Sequence, residues 1–172
     1  MGMDVYGKNA TNQVGEYFRR NVWGWRPLWD YCLEEHGKVA GKVKYGHSND
    51  GDGLGKHGSK ELARRIKKAI ADGSAQAYIE ARNTRLAGLE RPDCDLCAGT
   101  GIRSDEVGVE NGMPDRELPI EMKMLTGRSH GWCNACSGEG KTDHWDTHYY
   151  LDLDDLIEFS DFLENCGGFS IC

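Results

Sequence analysis

Apolar positions along this chain come in short bursts separated by glycine-rich polar stretches, which predicts brief elements joined by tight turns. Met3–Tyr6 alternates and closes at Gly7, as a short strand would. The apolar patch from Tyr17 and Phe18 to Val22 and Trp23 fits a strand or a loop. Pro27 suits a first helical position, and Leu28, Trp29, Cys32 and Leu33 fall on one face. A helix is therefore expected over 27–36, with Gly37 as its stop. Trp23, Trp25 and Trp29 cluster there and read as aromatic core. Val43 and Tyr45 suggest a further strand before the loop HSNDGDGLGKHG. Leu62, Ile66, Ala69 and Ile70 recur at helical spacing, predicting a helix over 60–71 capped by Ser59. Asp72–Gly73 breaks it, and Ser74 opens another helix over 74–89. Near the end, Thr147–Leu151 reads as a strand. Asp152 or Asp154 then caps a helix turning Leu153, Leu156, Ile157, Ser160 and Leu163 inward. Gly167–Gly168 ends that helix, and Phe169–Cys172 returns as a last strand.

At 172 residues, 38% hydrophobic and 28% charged, the chain is long and apolar enough to bury a core. It has no run of about 18 apolar residues and no charged start followed by an apolar stretch, so neither a membrane span nor a signal peptide is expected. Tyr6 stands where a myristoylation motif needs Ser or Thr. The expected location is the cytoplasm. Charge is uneven: residues 1–50 carry a net +1, 51–92 a net +4 and 93–172 a net -12. Such polarity suits an electrostatically steered partner, and equally a solvated surface.

Seven cysteines in a reducing compartment favour metal over disulfides, and four of them form a duplicated pattern. CDLCAGTG (94–101) and CNACSGEG (133–140) both fit C-x-x-C-x-G-x-G. Two intervening residues let one turn aim both sulfurs at one ion, and the glycines let backbone amides fold toward the sulfurs. Cys94, Cys97, Cys133 and Cys136 are thus expected to hold one structural Zn2+ in a closed four-thiolate site. A redox dithiol is the alternative, with few activating Lys or His neighbours to favour it. Cys32, Cys166 and Cys172 are left over and read as small buried hydrophobes. The fold class is α+β: a small sheet with packed helices and an inserted four-cysteine zinc-binding lobe. The expected parts are 1–92, the zinc lobe 93–141 and a completing segment 142–172.

The knuckles resemble the cysteine-rich zinc finger of DnaJ-type co-chaperones, over about sixteen residues. Those proteins use four repeats for two zincs, whereas two repeats stand here, with no HPD tripeptide. The resemblance implies zinc-ligand roles for the four cysteines and does not imply chaperone activity. The start MGMDVYGKN, the loop HSNDGDGL, the knuckles and the ending GGFSIC also resemble an uncharacterised phage and bacterial protein family. That resemblance implies a small phage accessory protein acting inside a bacterial cell.

Three readings of function follow. The leading one is a zinc-stabilised, non-enzymatic binding protein that docks on an intracellular protein or protein–nucleic acid complex. In a phage setting it would be an inhibitor or modulator of a host nucleic-acid-processing or defence complex, with the 35 residues between Cys97 and Cys133 as a binding loop. The second is a hydrolytic enzyme using the His47, Asp50 and Asp52 loop with His144 or His148. Turn chemistry explains Asn, Asp and Gly in that loop equally well, and on a strand His144 and His148 would lie about 13 Å apart. The third is direct nucleic-acid binding through the basic face of Arg64, Arg65, Lys67 and Lys68, which reads equally as a solvated helix face.

Overall fold

In the computed structural model, which describes residues 2–172, three strands form one antiparallel sheet. Strand β1 (Gly2–Gly7) is central, between β2 (Tyr17–Asn21) and β3 (Phe169–Ile171). Met3 pairs with Arg20, and Val5 pairs with both Phe18 and Ile171. Side chains alternate across a strand, so Met3, Val5, Phe18, Phe169 and Ile171 are buried while Tyr6 and Tyr17 face out. Among the described residues there are six α-helices: α1 (Val22–Ala40), α2 (Lys56–Ala71), α3 (Ser74–Ala87), α4 (Glu106–Glu110), α5 (Ile120–Thr126) and α6 (Leu153–Asn165). The fold is α+β with a four-cysteine cluster. No helix among the described residues is long and apolar enough to cross a membrane.

Helix α1 begins at Val22, five residues before the proline expected to start it. Asn21 is extended and its side chain accepts the Gly24 N–H at 2.9 Å, which fixes the start. Pro27 then sits inside the helix with no N–H for the Trp23 carbonyl, and the Tyr150 N–H supplies that bond at 3.2 Å. Helical dihedrals break at His36 (φ -130, ψ 26), and one further turn reaches Ala40. Trp25 and Trp29 are fully buried and stacked, with centroids 5.7 Å apart, and Phe159 meets both edge-on. This aromatic stack is the centre of the core.

Val43 and Tyr45 form no strand. They lie in a series of turns, where the Asp52 carboxylate accepts the N–H groups of Lys44 and Tyr45 at 2.7 and 3.0 Å and closes the loop. The segment beyond it runs along β3: Gly51 N–H donates to Ile171 O, Ile171 N–H to Asp52 O, and Phe169 N–H to Leu54 O, at 2.7, 2.8 and 2.9 Å. Helix α2 starts at Lys56 after Gly55, earlier than its predicted cap. Ser59 is buried in the first turn and its hydroxyl donates back to the Gly55 carbonyl at 3.1 Å.

Helix α3 ends at Ala87, two residues short of expectation. No strand forms over Thr147–Leu151; Trp145–His148 is a short 3-10 turn instead, closed by Thr147 N–H to His144 O. Asp152 caps α6 in a reciprocal capping box with Asp155. Ile157, expected inward, is exposed, because Phe159 and Phe162 take the buried face beside Leu156, Ser160 and Leu163. Cys32 and Cys166 are buried as expected, whereas Cys172 lies past the last strand and is exposed. The chain divides into two compact units, one of residues up to Ala87 together with His148–Cys172, the other Gly88–Thr147.

Candidate metal centre

Within Gly88–Thr147, the two knuckles are built alike and paired reciprocally. In each, a residue just after the second cysteine is left-handed, Ala98 (φ 48) and Ser137 (φ 52), followed by left-handed Gly99 (φ 78) and Gly138 (φ 79). That reversal aims the Gly101 N–H at Cys97 Sγ and the Gly140 N–H at Cys136 Sγ, both at 3.2 Å. The knuckles then exchange main-chain bonds: Cys94 N–H donates to Gly140 O at 2.9 Å, and Cys133 N–H to Gly101 O at 2.8 Å. A Cβ on Gly101 would lie 2.2 Å from Gly138 O, and one on Gly140 would lie 2.2 Å from Gly99 O. Both glycines are therefore required by the close approach of the two turns. Asp93 and Lys141 bridge at the base of the pair, where their side chains form an ion pair at 2.6 Å.

All four thiols are buried, and their sulfurs lie within 4.8 Å of one another. Cys94 and Cys133 are 3.8 Å apart, and Cys97 and Cys136 are 3.7 Å apart. A tetrahedron with metal–sulfur bonds of about 2.3 Å has edges of about 3.8 Å, so the spacing fits a four-thiolate metal site. The thiols do not share charge evenly. Burial raises the Cys97 thiol, but the Gly101 amide and the Cys136, Cys94 and Cys133 thiols outweigh it, and the net shift is downward. Burial and its three neighbouring thiols push Cys136 up to about 12 against the Gly140 amide. Burial likewise raises Cys133. A cation among the four sulfurs would favour their thiolate form. With four protein ligands the set is closed and leaves no position for a substrate.

The segment between the knuckles carries α4 and α5. Asp105 caps α4, accepting the Gly108 N–H at 2.9 Å, and Arg103 braces Asp105 at 2.8 Å. No residue of α5 is buried, and Ile120, Met124 and Leu125 are 69%, 83% and 69% exposed.

Among the described residues, the four cysteines are the one group of His, Cys, Asp or Glu close enough to hold a metal ion. The other residues singled out in the sequence have separate partners. His47 Nε2 is 3.0 Å from Asp30 Oδ1. Asp50 accepts from the Ser48 hydroxyl, and Asp52 is held by backbone amides. His144 Nδ1 accepts the Asp146 N–H at 3.2 Å, and the His148 ring meets Trp23 edge-on at 5.7 Å. On α2, Glu61 engages both Arg64 and Arg65, at 2.8 and 2.7 Å. Lys67 leaves that basic face for the seam with α6, pairing with Asp161 at 2.8 Å and with Glu164. Sequence reasoning missed His36, buried beside Arg64, Arg65 and Lys68; its position before Gly37 reads only as a helix end.

Compared with protein-family models, with curated proteins and with solved structures, the chain matches none.

Proposed function

We propose that the four cysteines hold one structural zinc ion, and that the protein is a non-enzymatic binding protein whose docking surface is the segment between the knuckles. The observation that carries this reading is a closed, buried four-thiol set at the root of a segment whose helix α5 keeps no side chain buried. A closed thiolate set stabilises a fold and does no Lewis-acid chemistry, so the metal serves to present that segment. Ile120, Met124 and Leu125 are the kind of exposed apolar side chains that a partner covers. Gly88–Thr147 carries twelve Asp/Glu against six Lys/Arg, which favours a partner with an apolar pocket rimmed by basic residues. Proteins that handle nucleic acid have such basic surfaces, in keeping with the resemblance to a phage and bacterial family.

The test is metal analysis of purified protein, followed by affinity capture from bacterial lysate with and without nuclease. One zinc per chain and a dominant nuclease-resistant protein partner, lost on Met124→Glu with Leu125→Glu, is the expected result. Recovery that depends on nucleic acid, or capture unaffected by those two substitutions, would overturn the assignment of the surface. Absence of zinc would overturn the structural role of the cysteines.

A further inference from the structure

A cleft lies between α1 and α2, and it involves none of the cysteines. Open and about 290 Å³ in volume, it is lined by His36, Arg64, Arg65, Lys68 and Asp72. His36 occupies the break in α1 and is only 8% exposed. Its Nε2 is buried with no hydrogen-bond partner. An orphaned buried imidazole nitrogen costs free energy comparable to a lost hydrogen bond, so a group lining a cleft in this state points to something it meets there. The three cations sit at positions 64, 65 and 68 on one face of α2. Glu61 engages Nε and Nη2 of Arg64 and Nε of Arg65, which fixes both guanidiniums in place and leaves their remaining donors for a ligand. The one carboxylate in the lining, Asp72, is turned to Ser74, accepting its N–H and its hydroxyl at 3.1 and 2.7 Å.

Two guanidiniums, an ammonium and an imidazole in a cleft of this size match an anion with several oxygens. The imidazole narrows the choice. Burial lowers the proton affinity of His36 and Arg65 adds to that, against the backbone and charge of Glu35. Tyr31 also packs on His36, its ring meeting the imidazole edge-on at 5.4 Å, and burial holds its phenol protonated. The Glu35 backbone carbonyl accepts from the ring and Nε2 has no partner. The neutral ring therefore carries its proton on the other nitrogen, and Nε2 is an acceptor that meets a ligand bringing its own proton. Phosphate keeps such a proton at and below its second ionisation near about pH 6, whereas sulfate has none to give over the same range.

We propose that this cleft binds a phosphate group, free or esterified to a small molecule, with Arg64, Arg65 and Lys68 holding its charge and His36 Nε2 sharing its proton. No bond is made or broken beyond that proton contact.

The experiment titrates zinc-loaded protein with inorganic phosphate, a nucleoside 5′-monophosphate and sulfate in separate arms. Binding is read by calorimetry and by the His36 imidazole NMR signals. Saturable shifts at His36 are expected, with phosphate bound more tightly than sulfate. Lys68→Gln or Arg64→Gln, both on the surface of α2, should weaken phosphate by about tenfold. His36→Gln should abolish the preference for phosphate over sulfate. Tighter binding of the monophosphate would assign the site to an ester, and equal binding to the free ion. His36 signals unmoved by phosphate, or phosphate and sulfate bound alike and indifferent to Lys68→Gln, would overturn the proposal.

Discussion

The main-chain N–H of Tyr150 donates to the carbonyl of Trp23, a bond that exists because Pro27 has none to give. The Tyr150 ring lies over Gly24, where a Cβ would stand 3.2 Å from it, and its hydroxyl donates to Asn21. A proline inside a helix is thereby turned into an attachment point for the segment leading to α6. Pro27→Ala would supply the missing helical N–H and compete for the Trp23 carbonyl. Amide exchange at Tyr150 should then accelerate while exchange elsewhere in α6 stays slow; unchanged protection at Tyr150 would show that the bond is not set by the proline.

Gly46 lies flat against the tryptophan stack. Its carbonyl accepts the Trp25 indole N–H at 2.8 Å, and a Cβ there would sit 1.9 Å from Trp29 Nε1. Gly46→Ala must displace a fully buried indole, at a cost of about 1–3 kcal/mol. Gly55→Ala, where a Cβ would meet nothing within 4 Å, serves as the control. Urea denaturation should separate the two variants clearly.

The reciprocal packing of the knuckles makes their glycines equivalent. Gly101→Ala and Gly140→Ala should weaken metal retention by similar factors, measured by competition with a chromophoric chelator. A large loss in one variant alone would contradict the paired geometry.

Cobalt substitution should give the intense thiolate charge-transfer bands of a tetrahedral four-sulfur site. Chelation, or Cys97→Ser, should raise amide exchange across Gly88–Thr147, since ligand binding and local folding are coupled. Slow exchange retained throughout that unit without metal would argue against a structural ion.

His36 also sets a pH dependence. Its folded pKa lies below the ordinary 6.5, chiefly through burial. Between the two values the unfolded chain binds a proton that the folded chain refuses, so stability rises with pH in that window. It is complete above about 6.5 and falls as pH drops toward the folded value. Urea unfolding from pH 8 to pH 5 should show wild type losing stability relative to His36→Gln below about pH 6.5; parallel curves would place His36 in solvent.

The sequence made some of this legible and hid the rest for identifiable reasons. Amphipathic spacing marked α2 and α6, Ser74 marked the start of α3, and the duplicated cysteine pattern marked the cluster, because these signals are local. Tertiary partners decided what was misread. Pro27 is accommodated inside α1 because Tyr150, far along the chain, bonds the Trp23 carbonyl, and Val43 and Tyr45 are bent into turns by Asp52. The stretches MGMDVYGKN, HSNDGDGL and GGFSIC stand far apart along the chain, yet β1 and the 51–54 segment both hydrogen-bond to β3. His36 carried no periodic or motif signal, since its burial against α2 is visible only in three dimensions.

The bond from Cys133 N–H to Gly101 O places the exit and the re-entry of residues 102–132 a single hydrogen bond apart. A segment whose two ends already meet can change length cheaply, by roughly 0.6 kcal/mol for each doubling. The knuckle pair is thus a socket: the chain threaded between Gly101 and Cys133 can lengthen or shorten while the main-chain bond that closes its mouth stays the same.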